Sequence, residues 1–294
     1  MALRLGQITL ILALLLSSFA GRAQDESDYR LTNVTDDVFR FTAGNYHALV
    51  IKTDDGIVLI DPLNTRAASW IKKTVAERFN KPITHLIYSH SHPDHAYGGE
   101  VFDDGNTVLV SHQDARANLK RVRADTALPS LVFNDTLTLF AGGKDITLTY
   151  YGPTNGYGNV AVHVQPDDVM FVVDWVVVGR LPYKDLMGYD LEGTLRATEK
   201  LLKQPFTHFV GGHADMGNKD DVNAYYKYIQ TLHNSVLEGI LAGKSLKDIQ
   251  RSQPMAEFSS LKMYDEWVEL NIKGAYEQLV SRSYLKMRES ASGQ

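Results

Sequence analysis

Short apolar runs separated by turn residues dominate the chain from residue 31 onward. Runs rich in β-branched and aromatic residues predict strands, and clusters such as Asp54-Asp55-Gly56 and Gly142-Gly143 predict the turns between them. The predicted strands are residues 38–41, 47–51, 57–60, 83–88, 107–111, 136–140, 146–150, 160–165, 169–173 and 207–210.

Apolar positions at a helical spacing predict helices between some of these strands and in the tail. The predicted helices are residues 70–79, 113–121 and 191–202, and a mostly helical tail from 220 to about 288 that breaks at Gly243 and Pro254. Strand, helix and strand over residues 57–88 indicate a βαβ unit. Two strand-rich halves, each flanked by helices, predict an α/β (α+β) fold with a four-layer αββα sandwich and a helical C-terminal tail.

The N-terminus reads as a targeting segment. Arg4 precedes an apolar run over residues 8–20, and the small residues Gly21 and Ala23 favour cleavage before Gln24. We therefore expect a signal peptide at residues 1–23, a single domain at residues 24–294, and export to a bacterial periplasm or secretion. The chain contains no cysteine, which excludes disulfides, thiolate ligands and lipoprotein attachment.

The formal net charge of −5 comes from acidic and basic residues mixed along the whole chain. Without a cluster of lysine or arginine, nothing indicates a nucleic-acid or anionic-membrane partner after signal cleavage. A small-molecule substrate is the expected partner, and the sequence leaves the oligomeric state open.

The candidate chemistry lies directly after the predicted strand at residues 83–88, in Ser89-His90-Ser91-His92-Pro93-Asp94-His95. A strand that leads into a short His-rich loop aims several nitrogen and oxygen ligands at one point. Imidazoles and a carboxylate are ligands that zinc prefers, with iron and manganese as competitors. The motif predicts a metal site at His90, His92, Asp94 and His95.

This His-x-His-x-Asp-His motif after a strand resembles the signature of the metallo-β-lactamase superfamily. The resemblance implies the metallo-β-lactamase fold and one or two zinc ions, with His90 and His92 in a first metal position and Asp94 and His95 in a second. It also implies that Asp174, at the end of the strand 169–173, bridges both positions, and that His213, after Gly211-Gly212, completes the second.

Asn155 departs from the family pattern. In Gly152-Pro153-Thr154-Asn155 it stands where the family usually has the histidine that completes the first position. An amide oxygen binds transition metals more weakly than imidazole does. We therefore expect the first position to be weakened or empty and the second to keep all its ligands.

Other polar residues are candidates for supporting roles. Tyr97, Arg180 and Lys184 are the predicted substrate-binding residues, the two cations because they follow the strand that ends at Asp174. His47 and His112 lie near strand ends, where a histidine can support a metal ligand from behind.

These residues predict a zinc-dependent hydrolase that acts by metal-activated water on an ester, a lactone, a thioester or a cyclic amide, β-lactams included. Asp94 is the predicted catalytic residue, orienting the water and carrying its proton. No Gly-x-Ser-x-Gly motif is present to indicate a covalent route. The alternatives are a non-catalytic metal- or ligand-binding member of the fold, which Asn155 favours, and a di-iron redox protein. The substrate and the native metal stay open.

Overall fold

The computed structural model of the chain describes residues 28–285. The predicted signal peptide and the last residues of the predicted tail lie outside this range. Between residues 28 and 285, no helix is both long enough and apolar enough to cross a lipid bilayer.

Twelve strands and seven α-helices form within the described residues. The strands are β1 (Tyr29–Asn33), β2 (Val38–Ala43), β3 (Tyr46–Lys52), β4 (Ile57–Ile60), β5 (Ile83–Tyr88), β6 (Val108–His112), β7 (Leu131–Phe133), β8 (Thr136–Ala141), β9 (Lys144–Thr149), β10 (Ala161–Gln165), β11 (Val169–Val172) and β12 (His208–Gly211). The helices are α1 (Thr65–Phe79), α2 (Pro93–Ala96), α3 (Gln113–Arg121), α4 (Leu191–Leu201), α5 (Lys219–Leu241), α6 (Leu246–Arg251) and α7 (Tyr264–Arg282).

The strands form two sheets. One has the order β1-β2-β3-β4-β5-β6-β7, and the other has the order β12-β11-β10-β9-β8. Strands β4 to β7 pair in parallel, and so do β11 and β12. The carboxyl ends of parallel neighbours meet at one edge of a sheet, so the segments that follow β4 and β5 lie side by side, as do those that follow β11 and β12.

Apolar side chains hold four layers together. Ile60 and Ile87 of the first sheet pack against Val162 and Phe171 of the second in one buried cluster. A second cluster joins α1 to the outer face of the first sheet, and a third joins α4, α5, α6 and α7 to the outer face of the second. Because each sheet is buried on both faces, the predicted αββα sandwich with C-terminal helices is confirmed.

The sequence pattern did not predict some of the short strands and helices. Strands β1 and β7 were not predicted. The loop predicted for the histidine motif contains one helical turn, α2, with Pro93 in its first position, where the missing proline N–H costs nothing. Helix α1 begins five residues before the apolar period because the Asn64 side chain accepts the Ala67 N–H at 2.9 Å and caps it.

Helix α7 fixes the segment between β11 and α4. The fully buried Asn271 donates from Nδ2 to the carbonyl oxygens of Pro182 and Lys184 at 3.1 and 2.5 Å. Its Oδ1 accepts the Tyr228 hydroxyl at 2.6 Å. One amide side chain therefore satisfies three polar groups, two of them buried and one part-buried, and ties the tail to the segment that ends at Asp190.

Replacing Asn271 by leucine removes this partner from the buried Tyr228 hydroxyl and the buried Pro182 carbonyl. We expect Asn271→Leu to lower the free energy of unfolding by about 3 kcal/mol in urea denaturation, since unpaired buried polar groups cost about 1–3 kcal/mol each. The exposed Asn234 of α5 is the matched control, and Asn234→Leu should change that free energy by less than about 0.5 kcal/mol. Equal effects would show that Asn271 holds nothing in place.

Candidate metal centre

The predicted ligands come from the carboxyl ends of three strands. His90 and His92 follow β5, and α2 continues the same segment with Asp94 and His95. Asp174 follows β11, and His213 follows its parallel neighbour β12. The structure brings all six residues together, with His90, His95 and Asp174 buried.

The Asp174 carboxylate lies at the centre of the cluster. Its Oδ2 is 3.0 Å from Nε2 of His90 and 2.8 Å from Nδ1 of His92. Its Oδ1 is 3.0 Å from Nε2 of His213 and 3.5 Å from Nε2 of His95. The potential ligand atoms form two groups, each within 4.8 Å: His90, His92 and Asp174, and Asp94, His95 and His213.

Contacts behind the rings indicate where the imidazole proton lies in His90, His95 and His213. His213 has its Nδ1 2.9 Å from the carbonyl oxygen of Asn45, which can only accept, so Nδ1 carries the proton. Nδ1 of His95 lies 3.2 Å from the Asp61 carboxylate, whose negative charge favours a proton on that nitrogen. Both rings therefore turn the Nε2 lone pair toward the centre.

His90 is oriented through a serine. The Ser89 hydroxyl lies 2.7 Å from Asp61 Oδ2 and donates to it, so it accepts the Nδ1 proton of His90 at 2.9 Å. The Ser89 N–H also donates to Asp61 Oδ1 at 2.7 Å. Asp61 thus supports His95 directly and His90 through Ser89, while fully buried itself.

Sequence reasoning missed Asp61 and Asn45. Asp61 ends the predicted strand 57–60, next to the strand that precedes the histidine motif, so its position at the shared sheet edge was an available signal. The contribution of Asn45 is a backbone carbonyl, which leaves no trace in the residue type.

When their rings are neutral, His90, His95 and His213 face inward with an acceptor nitrogen. In the tautomers fixed from behind, Nε2 of His95 and Nε2 of His213 present lone pairs to each other at 3.1 Å and to the carboxylate of Asp174. Asp174 Oδ1 is buried, with no hydrogen-bond donor among the described residues. Lone pairs this close repel one another unless a cation lies between them, so the donor set fits a divalent metal ion of the kind that N and O ligands hold.

The pKa shifts of His95 and Asp174 show that the cluster favours positive charge on its imidazoles. Burial by itself lowers the pKa of His95, but the carboxylates of Asp174 and Asp61 outweigh it and raise that pKa to about 10. Burial alone would raise the pKa of Asp174, yet His90, His213 and His92 hold it well below its ordinary range. Without a metal, His95 therefore keeps a second proton, and the imidazolium supplies the positive charge that the carboxylates favour.

Asn155 lies beside the first group. A Cβ atom built on Gly188 would lie 2.8 Å from Asn155 Oδ1 and 3.7 Å from Nε2 of His92. The Asn155 Oδ1 is buried and has no hydrogen-bond donor among the described residues. The Asn159 side chain fixes this turn by donating to the carbonyl oxygens of Asn155 and Val173 at 2.9 Å.

A cavity of about 470 Å³ opens beside His92, and Tyr97 lines it. Arg180 and Lys184 do not line it. The Arg180 guanidinium lies over the Trp267 ring at 5.2 Å, and the Lys184 ammonium lies 4.9 Å from the Tyr183 ring centre. Of the three predicted substrate-binding residues, Tyr97 alone lies at the cavity.

His47 and His112 support the structure differently. His47 Nε2 lies 3.1 Å from the carbonyl oxygen of Ala214, next to His213, and burial lowers the pKa of His47 to about 3. His112 caps α3 and stacks on the Tyr150 ring, with centroids 4.0 Å apart. Of these two histidines, His47 alone contacts a segment that carries a predicted metal ligand, His213.

Gly156 leaves room for the first group. Its φ is +74°, and a Cβ there would lie 2.8 Å from Nε2 of His92 and 2.9 Å from Cδ2 of His90. We expect Gly156→Ala to abolish the weak zinc binding at His90 and His92 in calorimetric titrations, while zinc still binds at His95 and His213. Gly243, with a φ of +72° and no atom within 4 Å of its Cβ position, controls for backbone strain. Loss of both ions in Gly243→Ala would refute this steric account.

Asp61 supports two ligands, so its charge should set metal affinity. We expect Asp61→Asn to weaken zinc binding by about 10- to 100-fold in competition with a chelator, as for other groups that orient metal-bound histidines. Asp104→Asn removes a carboxylate from an exposed pair with Lys72 at 2.9 Å and should leave the affinity unchanged. Unchanged affinity in Asp61→Asn would show that the ligand rings do not depend on it.

Comparison with known proteins agrees with this geometry. The family model described as the metallo-beta-lactamase superfamily matches residues 41–213. The alpha and beta subunits of 2,4-dinitroanisole O-demethylase from Nocardioides sp. (strain JS1661) are both 24% identical to the chain. The alignments cover 80% of this chain and 75% of the alpha subunit, and 74% of this chain and 69% of the beta subunit.

Solved structures show the same fold. A metallo-beta-lactamase from Pontibacter korlensis superposes with a TM-score of 0.62 at 18% identity, covering 69% of this chain and 99% of that one. The DIM-1 metallo-beta-lactamase superposes with a TM-score of 0.62 at 16% identity, covering 69% and 98%. Since the family match spans more than half of the sequence and contains all six predicted ligands, the chain belongs to the metallo-beta-lactamase superfamily.

Proposed function

We propose that this protein is a metal-dependent hydrolase that uses water to cleave an ester, a lactone, a thioester or a cyclic amide, β-lactams included. The observation that carries the proposal is the convergence of imidazole lone pairs and the Asp174 carboxylate on one point beside a cavity. A bound divalent ion supplies a Lewis acid that lowers the pKa of water to about 7 and polarises a carbonyl oxygen.

The ligands divide unequally between two positions. Asp94, His95 and His213, with Asp174, form a complete set of the type that zinc, iron or manganese accepts. His90, His92 and Asp174 form the other, where the amide oxygen of Asn155 takes the place of an imidazole. Because an amide is the poorer ligand for zinc, we propose that the second position binds tightly and the first weakly.

Asp94 is suited to proton transfer. Its side chain is 39% exposed, against 7% for Asp174, and its Oδ2 lies 3.7 Å from Nε2 of His213. A carboxylate at the border between the cluster and solvent can orient the attacking water and pass its proton outward. Asp174 is held in the interior, where the Tyr189 hydroxyl donates to its backbone carbonyl at 2.5 Å.

The relatives described above add one compound to the candidate substrates. Both are subunits of a 2,4-dinitroanisole O-demethylase, so this ether joins nitrocefin, simple lactones and simple esters among the compounds to assay. The alternative is a member of the fold that binds a metal or ligand without catalysis, and the weaker donor at Asn155 favours it.

Metal content and hydrolysis, measured together on purified protein, test the proposal. We expect wild type to retain about one metal ion per chain and to hydrolyse at least one of these compounds, and Asn155→His to retain closer to two ions because imidazole completes the first position. His208→Asn, at an exposed histidine on β12, should match wild type. No bound metal and no hydrolysis with added zinc would contradict the proposal and leave the binding protein.

A further inference from the structure

The hairpin between β2 and β3 brings an aromatic side chain to the metal ligands. Tyr46 is the first residue of β3 and pairs with Ala43 across the two-residue turn Gly44-Asn45. Gly44 has a φ of +61°, the positive φ that a two-residue hairpin turn requires at its first position. The sequence pattern predicted this strand only from residue 47, so Tyr46 was not among the predicted site residues.

Hydrogen bonds on both sides of Tyr46 attach the hairpin to the segment that carries His213. The Asn45 carbonyl oxygen accepts the Nδ1 proton of His213 at 2.9 Å. The His47 N–H donates to the carbonyl oxygen of Gly212 at 2.9 Å. The residues before and after Tyr46 are therefore fixed relative to a metal ligand, and the phenol ring has a defined place beside that ligand.

The Tyr46 ring packs edge-on against two ligands of the second metal position. Its centre lies 5.4 Å from that of the His213 ring and 6.4 Å from that of the His95 ring, with interplanar angles of 63° and 76°. Asp94, the third member of this ligand group, approaches the same His213 ring, with its Oδ2 3.7 Å from Nε2. Tyr46 and Asp94 therefore both border the position that we propose to bind the metal tightly.

The Tyr46 hydroxyl is available to a ligand. It makes no hydrogen bond with any residue between 28 and 285, and its oxygen is accessible to solvent although the side chain is half-buried. The Asp94 carboxylate is close enough to act on it: after burial, Asp94 contributes most to raising the pKa of Tyr46. A phenol keeps its proton at neutral pH even without such a shift, so this hydroxyl is a hydrogen-bond donor.

We propose that Tyr46 is a further catalytic residue of this site: its hydroxyl donates a hydrogen bond to the substrate's carbonyl oxygen at the second metal position, where negative charge develops as water attacks. The assignment rests on the proposed hydrolase function for the reaction, whereas the hydrogen bond itself needs no turnover. Removing one fixed donor of this kind commonly lowers kcat by about 10²- to 10³-fold. Because Tyr46 is only half-buried, we expect about 10- to 100-fold.

Tyr46 acts in this step without losing its own proton. The oxygen of water bonds to the carbonyl carbon, and the π electron pair of the carbonyl moves onto the oxygen that faces Tyr46. Asp94 takes one proton of the water. When the electron pair returns, the bond to the leaving oxygen, sulfur or nitrogen breaks, and that atom receives the proton from Asp94. Phenylalanine at position 46 therefore loses the hydrogen bond and leaves the proton balance unchanged.

Binding of two small anions tests the hydrogen bond apart from catalysis. Acetate and thiocyanate are titrated against protein loaded with one equivalent of zinc and followed by NMR. Acetate offers one oxygen to the ion and a second to Tyr46, whereas thiocyanate binds through nitrogen and has no oxygen to accept the phenol proton. We expect Tyr46→Phe to weaken acetate binding by about five- to tenfold and thiocyanate binding by less than about twofold.

Kinetics and metal affinity of the same variant separate a catalytic role from a structural one. For a compound that wild type hydrolyses, Tyr46→Phe should lower kcat by about 10- to 100-fold and change KM by less than about threefold, because the donor acts on charge that develops in the transition state. Zinc affinity in competition with a chelator should stay within about threefold of wild type, because the ring is kept. Tyr276→Phe, at a half-buried tyrosine of α7, is the matched control and should resemble wild type in every measurement.

Equal loss of both anions or a large loss of zinc affinity in Tyr46→Phe would overturn the catalytic role of Tyr46, because either result shows that the residue acts by holding the ligands in place. Selective loss of acetate binding, with no hydrolysis of any compound by wild type, would overturn the hydrolase function and leave the hydrogen bond standing. Hydrolysis with an unchanged kcat in Tyr46→Phe would do the reverse.

Discussion

The structure depends on one electrostatic constraint: three imidazole nitrogens and the Asp174 carboxylate face each other inside the protein as hydrogen-bond acceptors. Ser89 and the carbonyl of Asn45 accept protons from His90 and His213, and the nearby Asp61 carboxylate favours the same orientation in His95, so the Nε2 lone pairs of these three rings point inward. Such an arrangement is stable only around a cation, whether a proton or a metal ion. A cation held there would lie beside the cavity that His92 lines, and the proposed function rests on that arrangement.

The fold places the metal ligands at strand ends, and two aspartates there adopt a strained backbone conformation. Parallel pairing of β4 with β5, and of β11 with β12, gathers the ligand segments at strand ends. Asp61 and Asp174 each leave their strand in the left-handed region, with φ of 67° and 68°, which aspartate tolerates better than most residues do. The C-terminal helices then anchor the segment behind Asp174 through Asn271, so the tail belongs to the architecture of the site.

Much of this could be predicted from sequence, and the rest depends on contacts between distant residues. The histidine motif and the alternating strands are local patterns, whereas Asp174 and His213 were recognised only through a family resemblance. Asp61 lies 28 residues before its partner Ser89, so no local pattern links the two. Tyr46 meets His213 only because the β2–β3 hairpin packs on the segment that follows β12. Arg180 and Lys184 were predicted to bind substrate because they follow the strand that ends at Asp174, but tertiary packing places their charges near the rings of Trp267 and Tyr183.

A crystal structure of the protein grown with zinc, with anomalous maps recorded on both sides of the zinc absorption edge, tests the central claim most directly. The account predicts a strong peak among Asp94, His95, His213 and Asp174, and a weaker one beside His90 and His92. Empty density between the acceptors, or zinc bound only elsewhere on the surface, would contradict it, because the inward-facing lone pairs would then need some other partner.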